Sequence, residues 1–263
     1  MSSRRAERDA AREARLIAEA RVRAEAARRR RLRIFAGTGL VAIALVAAAV
    51  GVSSRGGAVA NAASGGVLRG AAYSARLFAG IPQRGISLGR PDAPVRMVEF
   101  ADLQCPYCDE YALQALPTLV TDYVRTGRVQ MQFENLSFIG PGSVVAGRVA
   151  AAAAEQNRLW NFVDLLYLNQ GEENTGYVTP GYLHRLLAAV PGLDVPSALA
   201  ASRAPAANAA LGLATRIAEE DGVDGTPSFL VGRAGGPLRP LTPSSLTAGP
   251  FAAAIDQLLG AHR

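Results

Sequence analysis

The chain has 263 residues, about half of them apolar and only 6% aromatic, with a formal net charge of +6. All 28 basic residues are arginine, and 12 of them lie with five acidic residues in the first 33 positions, so the remainder is close to neutral. This basic segment adjoins an apolar run and has no aromatic side chains for base stacking, which argues against nucleic-acid binding. We therefore expect no nucleic-acid partner and interpret residues 1–33 as the cytoplasmic flank of a membrane segment.

Residues 34–53 form an apolar run without a charged side chain. A helix of that length rises about 1.5 Å per residue and so spans about 30 Å, the thickness of a bilayer core. Because arginines concentrate on its N-terminal side, the positive-inside rule predicts a single-pass anchor in the cell membrane, with the rest of the chain extracytoplasmic. The alternative is a signal peptide cleaved at Ala58-Val59-Ala60, although the charged region and the apolar run are both longer than usual for one.

The remaining chain divides into a predicted linker and a predicted domain. Residues 54–80 are rich in glycine, alanine and serine, a composition that predicts a flexible linker. Residues 81–263 are long enough to enclose one hydrophobic core. Within them, three stretches dominated by alanine and leucine and separated by glycine or proline predict helices at 142–170, 181–190 and 206–220. We expect these helices to form an insertion over about residues 137–221.

Two predicted strands enclose the first helix of this domain. Residues 95–101 are largely apolar, as in a strand buried on both faces, and residues 129–134 alternate apolar and polar side chains, as in a half-buried strand. The apolar spacing over residues 105–125 predicts a helix, which Pro117 should kink. Strand, helix and strand in this order indicate a parallel βαβ unit. A further strand at 228–231 and a last helix near 250–259 are predicted after the insertion.

The two cysteines of the chain both lie in Cys105-Pro106-Tyr107-Cys108, between the predicted buried strand and the predicted helix. A thiolate at a helix N-terminus faces the positive end of the helix dipole, and its pKa can fall from about 8.5 to between about 3.5 and 7.5. We therefore predict Cys105 as the nucleophile and Cys108, one turn into the helix, as the residue that resolves a mixed disulfide. The redox-active disulfide between them would need no further cofactor.

Other roles for this motif fit the sequence less well. A structural zinc site normally takes four ligands, and only His184 and His262 could join the two cysteines, so we expect no metal. A c-type haem would require histidine where Asp109 stands. A purely structural disulfide between residues three apart would close a very small loop and add little stability.

Three segments resemble the DsbA-like thioredoxin family: VEFADLQCPYC at 98–108, the helical segment around Trp160, and VDGTPSF at 223–229. The resemblance spans roughly residues 83–262. It implies an α/β thioredoxin-like fold with a helical insertion before a final β-hairpin and helix. It also implies that Pro227 is a cis-proline opposite the active site, and that Thr226 offers backbone hydrogen bonds to a bound peptide.

Glu99 lies six residues before Cys105 on the buried strand, and this spacing resembles that of the buried acid which assists proton transfer at the second cysteine in the thioredoxin superfamily. Burial should raise the pKa of such a carboxyl toward neutrality. The alternative is that Glu99 forms an ion pair with Arg96 or another arginine. Asp102 and Gln104 are expected to shape the turn before the cysteines.

Pro106 and Tyr107 are predicted to tune the redox potential, because the residues between the two cysteines can decide the direction of exchange. Tyr107 stands where strongly oxidising members of the family have histidine, so a charged ring near Cys105 is missing. The sequence therefore predicts an extracytoplasmic thiol oxidase that acts on reduced exported proteins and is reoxidised by a membrane partner. A reductase or isomerase of the same fold and a non-catalytic thioredoxin-like module that binds client proteins remain alternatives.

Overall fold

The computed structural model describes residues 67–260. The predicted basic segment 1–33 and the predicted membrane helix 34–53 lie outside the described residues. Within the described part of the chain, no helix combines the length and the apolar character needed to cross a bilayer.

The first described helix, α1 (Ala71–Phe78), lies inside the segment 54–80 that the sequence predicts as a linker. Its Leu77 and Phe78 side chains are buried in the main hydrophobic core. The linker prediction therefore does not hold for this helix, and the folded domain begins before residue 81. The low apolar content of the segment was misleading because a short helix needs only one apolar face to pack against a domain.

Six strands form one mixed sheet in the order β1-β2-β4-β3-β5-β6. In chain order they are Gln83–Arg84, Ser87–Leu88, Val95–Ala101, Val129–Asn135, Ser228–Arg233 and Arg239–Leu241. Strand β3 lies at the centre, parallel to β4 and antiparallel to β5. A strand with a neighbour on each edge and packed helices on each face is shielded from water, which explains why β3 is largely apolar. The predicted parallel βαβ unit is present.

Eight further helices follow α1 in the described part of the chain. They are α2 (Pro106–Gln114), α3 (Leu116–Leu119), α4 (Pro141–Glu155), α5 (Leu159–Tyr167), α6 (Pro180–Ala189), α7 (Val195–Ala201), α8 (Pro205–Glu220) and α9 (Ala248–Gly260), with a π-helical turn at Val120–Val124. Helices α4 to α8 lie between β4 and β5, where the sequence predicts the helical insertion.

Side chains of β3 alternate between two hydrophobic clusters on opposite faces of the sheet. Met97 and Ala101 belong to the main core, which also contains residues of α2, α5 and α9. Val98 and Phe100 belong to a smaller cluster with Ala214 and Ala218 of α8. The fold is thus a three-layer α/β structure, with helices packed on both faces of the sheet. The cysteine motif directly follows the C-terminal end of β3 and so lies at the edge of the sheet.

Two predicted helices are each divided in the structure. The helix predicted for residues 105–125 breaks between α2 and α3, where Pro117 lies in the first turn of the second piece. This confirms the predicted kink, since proline cannot donate the backbone hydrogen bond of a continuous helix. The helix predicted for 142–170 divides at Asn157, whose φ is 57° and whose Oδ1 accepts a hydrogen bond from the Gly85 amide (2.9 Å).

Candidate active site

Cys105 is the N-cap residue of α2, directly after the turn that follows β3. Its backbone is extended (φ −70°, ψ 123°), and Pro106 occupies the first helical position, where the missing amide costs no hydrogen bond. Both cysteines are free thiols in this structure and both are buried, with Cys105 4% and Cys108 0% exposed. The sheet and the helix therefore present the Cys105 sulfur at the helix N-terminus, as the sequence predicts.

The pKa of the Cys105 thiol is lowered to about 6. The largest cause is a hydrogen bond from the Cys108 side chain, and further hydrogen bonds come from the Thr226 side chain and from the backbone amides of Cys108 and Tyr107. Burial opposes these interactions but does not outweigh them. At neutral pH, Cys105 is therefore mainly a thiolate, which is the nucleophilic form of cysteine.

Cys108 has the opposite electrostatic character. Burial raises its pKa well above the usual value of 9.0, and the negative charges of Cys105 and Glu99 raise it further. Cys108 therefore remains a protonated thiol at neutral pH. The two cysteines, only three residues apart, therefore differ in protonation state at neutral pH: Cys105 is mainly a thiolate and Cys108 a thiol.

Glu99 is 2% exposed and belongs to the centre of β3. Desolvation raises the pKa of its carboxyl to about 8, and the nearby charge of Cys105 contributes to the increase. Arg96, the proposed alternative partner, instead donates a hydrogen bond to Gln132 Oε1 (2.8 Å). Among the described residues, no ion pair neutralises Glu99. The carboxyl therefore holds a proton at neutral pH within the electrostatic range of Cys108.

The segment opposite the cysteines comes from the far end of the domain. The Thr226–Pro227 peptide bond is cis, as the family resemblance implies. The Cys105 sulfur lies 3.4 Å from the Thr226 carbonyl oxygen, across 121 residues of sequence, and donates a hydrogen bond to it when the thiol is protonated. The structure thus brings Thr226 and Pro227 against the nucleophile, next to β5.

Asp102 organises the turn that carries the cysteines and is fully buried. Its Oδ1 accepts from the Gln104 amide (2.8 Å) and from Ser143 Oγ (2.6 Å), and its Oδ2 accepts from the Phe138 and Ile139 amides (both 3.0 Å). Four donors satisfy both oxygens of this buried carboxyl group. These contacts confirm the predicted role of Asp102 in the turn. The hydrogen bonds from Phe138, Ile139 and Ser143 also join the turn to the helical insertion, which the sequence did not predict.

Several residues of the site carry no signal in the sequence. Gln170 donates from Nε2 to the carbonyl oxygens of Leu103 (3.1 Å) and Cys105 (3.2 Å), which fixes the turn from the side of the insertion. Tyr111 is fully buried three residues after Cys108, and its hydroxyl has no hydrogen-bond partner among the described residues. Burial, and then the charge of Glu99, raises its pKa. A glutamine after a helix and a tyrosine within one are too common to be recognised from sequence alone.

A cavity of about 360 Å³ lies beside the cysteine motif. Its lining includes Tyr107, Pro227, Phe229 and Leu246, together with Asp221 and Asp224. Tyr107 is 62% exposed, so its ring is available to a molecule that approaches Cys105.

Comparisons with known proteins agree with this geometry. The thioredoxin family profile matches residues 83–237. The probable disulfide bond formation protein D of Bacillus cereus is 37% identical over 99 residues, which are 37% of this chain and 46% of that protein. Disulfide bond formation protein D of Bacillus subtilis is 36% identical over 102 residues, covering 36% of this chain and 44% of the relative. The chain thus spans about half the length of the curated relatives it matches.

Solved structures support the same fold. The crystal structure of oxidised BdbD from Bacillus subtilis superposes with a TM-score of 0.59, covering 68% of this chain and 97% of that one at 21% identity. The family profile covers more than half of the chain, and the cysteine motif, the cis-proline and the helical insertion occupy the positions that the resemblance implies. The chain therefore belongs to the thioredoxin family, among its DsbA-like members.

Proposed function

We propose that this protein is an extracytoplasmic thiol-disulfide oxidoreductase that transfers its Cys105–Cys108 disulfide to reduced exported proteins. The observation that supports the proposal most directly is the contrast between the two thiols: the pKa of Cys105 is about 6, whereas that of Cys108 lies well above 9.0. In such a pair Cys105 is a good leaving group, and Cys108 is a buried thiol that can attack a mixed disulfide. The names of the Bacillus relatives, disulfide bond formation proteins, agree with this activity.

The low pKa of Cys105 favours the oxidising direction. Relative to a thiol with a pKa of 9.0, a pKa of about 6 stabilises the reduced protein at pH 7 by about 1.4 kcal/mol. For a two-electron couple this corresponds to about 30 mV toward a more oxidising potential. A thiolate that is stable in the reduced protein therefore gives the disulfide a tendency to accept electrons.

The reaction consists of two thiol exchanges. A client thiolate attacks Cys105 Sγ, the Cys105–Cys108 bond breaks, and Cys108 leaves with the electron pair. A second client thiolate then attacks the client sulfur of the mixed disulfide, which forms the client disulfide and releases Cys105 as a thiolate. The client loses two electrons and the protein gains them, without another cofactor or a metal.

Glu99 donates the proton that Cys108 takes up in the first exchange. Cys108 leaves as a thiolate in a buried position where its charged form is strongly disfavoured. The Glu99 carboxyl is protonated below its pKa of about 8 and can therefore supply the proton that Cys108 needs. In the reverse direction, an ionised Glu99 removes that proton and lets Cys108 attack the mixed disulfide.

Client contacts would come from the segment opposite the cysteines and from the neighbouring cavity. Thr226 would offer backbone hydrogen bonds to an extended client segment, and Pro227 would keep that segment next to Cys105. The cavity beside Tyr107 is large enough for a client side chain. Pro106 and Tyr107, which lie between the cysteines, would tune the potential.

The membrane placement completes the proposal. Residues 34–53 would anchor the protein in the cell membrane, with residues 1–33 cytoplasmic and the thioredoxin domain outside, where disulfides persist. After each turnover the protein carries two extra electrons, which a membrane partner would remove by reoxidising Cys105 and Cys108.

The reduction potential, measured together with turnover of a reduced peptide that contains two cysteines, tests the proposed function. A thiol oxidase shows rapid peptide oxidation and a potential well above that of thioredoxin, about −270 mV. A potential at or below that value, with reduction of client disulfides, would instead identify a reductase. A client-binding module without turnover would exchange no disulfide at a measurable rate.

A further inference from the structure

A second cavity lies away from the cysteines, at the edge of the sheet. Strand β2 pairs with β4 only as far as Gln132, and the Phe133 amide makes the last hydrogen bond on this side, to the Ile86 carbonyl oxygen (3.1 Å). Beyond that point the edge of β4 faces helices α4 and α8. A cavity of about 280 Å³ opens there, just below the lower limit of about 300 Å³ for small-molecule sites.

The helical walls of this cavity are apolar and made of small side chains. Ala150, Ala151 and Ala154 line it from α4, and Ala210 and Ala214 from α8. Alanines leave a gap between two packed helices that longer side chains would fill, and an apolar group that enters such a gap gains the dispersion contacts that its lining lacks.

The polar lining of the cavity consists of hydrogen-bond acceptors from the end of β4. Glu134 and Asn135 are each 9% exposed, and Glu155 lies at the end of α4. Asn135 Nδ2 donates to Ser137 Oγ (2.7 Å), which in turn donates to the Ser143 carbonyl oxygen (3.1 Å). Asn135 Oδ1 has no partner among the described residues, but Asn135 pairs in register with Ala101 and its side chain therefore lies on the other face of β4 from Glu134.

The charges around the Glu134 carboxyl are also negative. Asp221, directly after α8, raises its pKa in addition to the larger effect of desolvation, and the result is a pKa of about 7. Arg96 on β3 is occupied by its hydrogen bond to Gln132 and does not pair with Glu134. Among the described residues, Glu134 forms no salt bridge. A buried carboxylate without an ion-pair partner, beside an apolar gap, is complementary to a donor-bearing cation on an apolar stem.

We propose that the cavity between α4 and α8 binds a small organic ammonium ion, with the charged group against the Glu134 carboxylate and its apolar stem against the alanines. The site is separate from the cysteines, because Glu134 pairs in register with Phe100, which belongs to the cluster on the face opposite the main core. The inference does not depend on the proposed oxidoreductase function.

Calorimetric titration of the full-length chain with n-hexylamine tests this proposal, with n-hexanol as a probe of equal length without charge. We expect hexylamine to bind at least about tenfold more tightly than hexanol at pH 8. Between pH 8 and pH 6 the ionised fraction of a carboxyl with a pKa of about 7 falls about tenfold, so hexylamine binding should weaken by that factor. Hexanol binding should not change with pH.

Glu134→Gln removes the charge but keeps the shape. The variant should bind hexylamine and hexanol equally and lose the pH dependence, while its thiol exchange rate stays unchanged as a check on folding. Glu173→Gln, an exposed acid outside the cavity, is the matched control and should bind as the wild type does. Ala151→Leu should fill the cavity and abolish the binding of both probes.

A blocked lysine, Nα-acetyl-lysine methylamide, distinguishes the source of the ammonium group. Binding as tight as that of hexylamine would support the same site with a protein side chain as ligand, whereas binding by hexylamine alone would support a free amine. Equal affinities of hexylamine and hexanol for the wild type would overturn the proposal, as would tight hexylamine binding by Glu134→Gln. Absence of binding by both probes would overturn it as well.

Discussion

Replacement of Glu99 by glutamine tests the proton-transfer role and the burial of the carboxyl together. Burial raises the pKa of Glu99 from 4.5 to about 8, and each pKa unit corresponds to about 1.4 kcal/mol. Full ionisation of Glu99 in the folded protein thus costs about 5 kcal/mol. At pH 7, where the folded form is mostly protonated, the buried carboxyl lowers the free energy of unfolding by about 3 kcal/mol. Glutamine resembles the protonated carboxyl and avoids this loss.

The direction of the pH dependence follows from proton binding. Between about pH 4.5 and pH 8 the folded protein holds a proton on Glu99 that the unfolded chain has released, so the stability of the wild type falls as pH rises through this window. Glu99→Gln should therefore match the wild type below about pH 4.5 and exceed it by about 3 kcal/mol at pH 7. The Cys105 thiolate is present in both reduced proteins, and its contribution largely cancels in the comparison.

Glu99→Gln should slow thiol exchange while it increases the free energy of unfolding. Without a carboxyl near Cys108, resolution of the mixed disulfide by Cys108 should slow at neutral pH, because Cys108 must lose a proton before it attacks. The attack of a client thiolate on Cys105 should change much less. Glu99→Gln would thus separate stability from turnover.

Two measurements on the reduced protein examine these effects. Denaturant unfolding followed by the fluorescence of Trp160, the single tryptophan and 1% exposed, gives the difference in free energy of unfolding from pH 4 to pH 9. Rapid-mixing kinetics over the same pH range separates attack from resolution. Equal stability of the two proteins at pH 7 would refute the buried, protonated carboxyl, and unchanged resolution rates from pH 5 to 8 would leave Glu99 with a structural role only.

Four further predictions concern the cysteines, their surroundings and the membrane topology. Cys105→Ser should abolish thiol exchange, and Cys108→Ser should accumulate mixed disulfides with client proteins on non-reducing gels; the reverse pattern would exchange the two roles. Tyr107→His should lower the pKa of Cys105 further and raise the reduction potential by about 30 mV for each pKa unit, as measured against glutathione. Asp102→Asn should reduce the free energy of unfolding by about 1–3 kcal/mol, because an amide nitrogen would face backbone N–H donors. A reporter fused after Arg263 should be active only outside the cytoplasm, with the protein retained by salt-washed membranes; release of a soluble form that starts near residue 61 would show signal-peptide cleavage.

Local sequence patterns were sufficient to predict the central strand, the parallel βαβ unit and the positions of both cysteines. Strand β3 is recognisable because both of its faces are buried, and the break after α2 because proline cannot continue a helix. Helix α1 was missed for a related reason: its few apolar side chains acquire meaning only where a core is available to receive them. Signals of this kind depend on neighbours along the chain, which the sequence displays directly.

The chemistry of the site depends on neighbours that are distant along the chain. Burial of Glu99 could be expected from its strand, and strand alternation puts Arg96 on the opposite face, where it binds Gln132. The pKa of about 8 also requires that no arginine from another element approaches Glu99, which depends on packing. Thr226 reaches Cys105 across 121 residues, and Gln170 fixes the cysteine turn from the helical insertion. Local sequence was enough to nominate Cys105, Cys108 and Glu99. Their protonation states depend on the folded surroundings, because desolvation and hydrogen bonding sum over all atoms around a group.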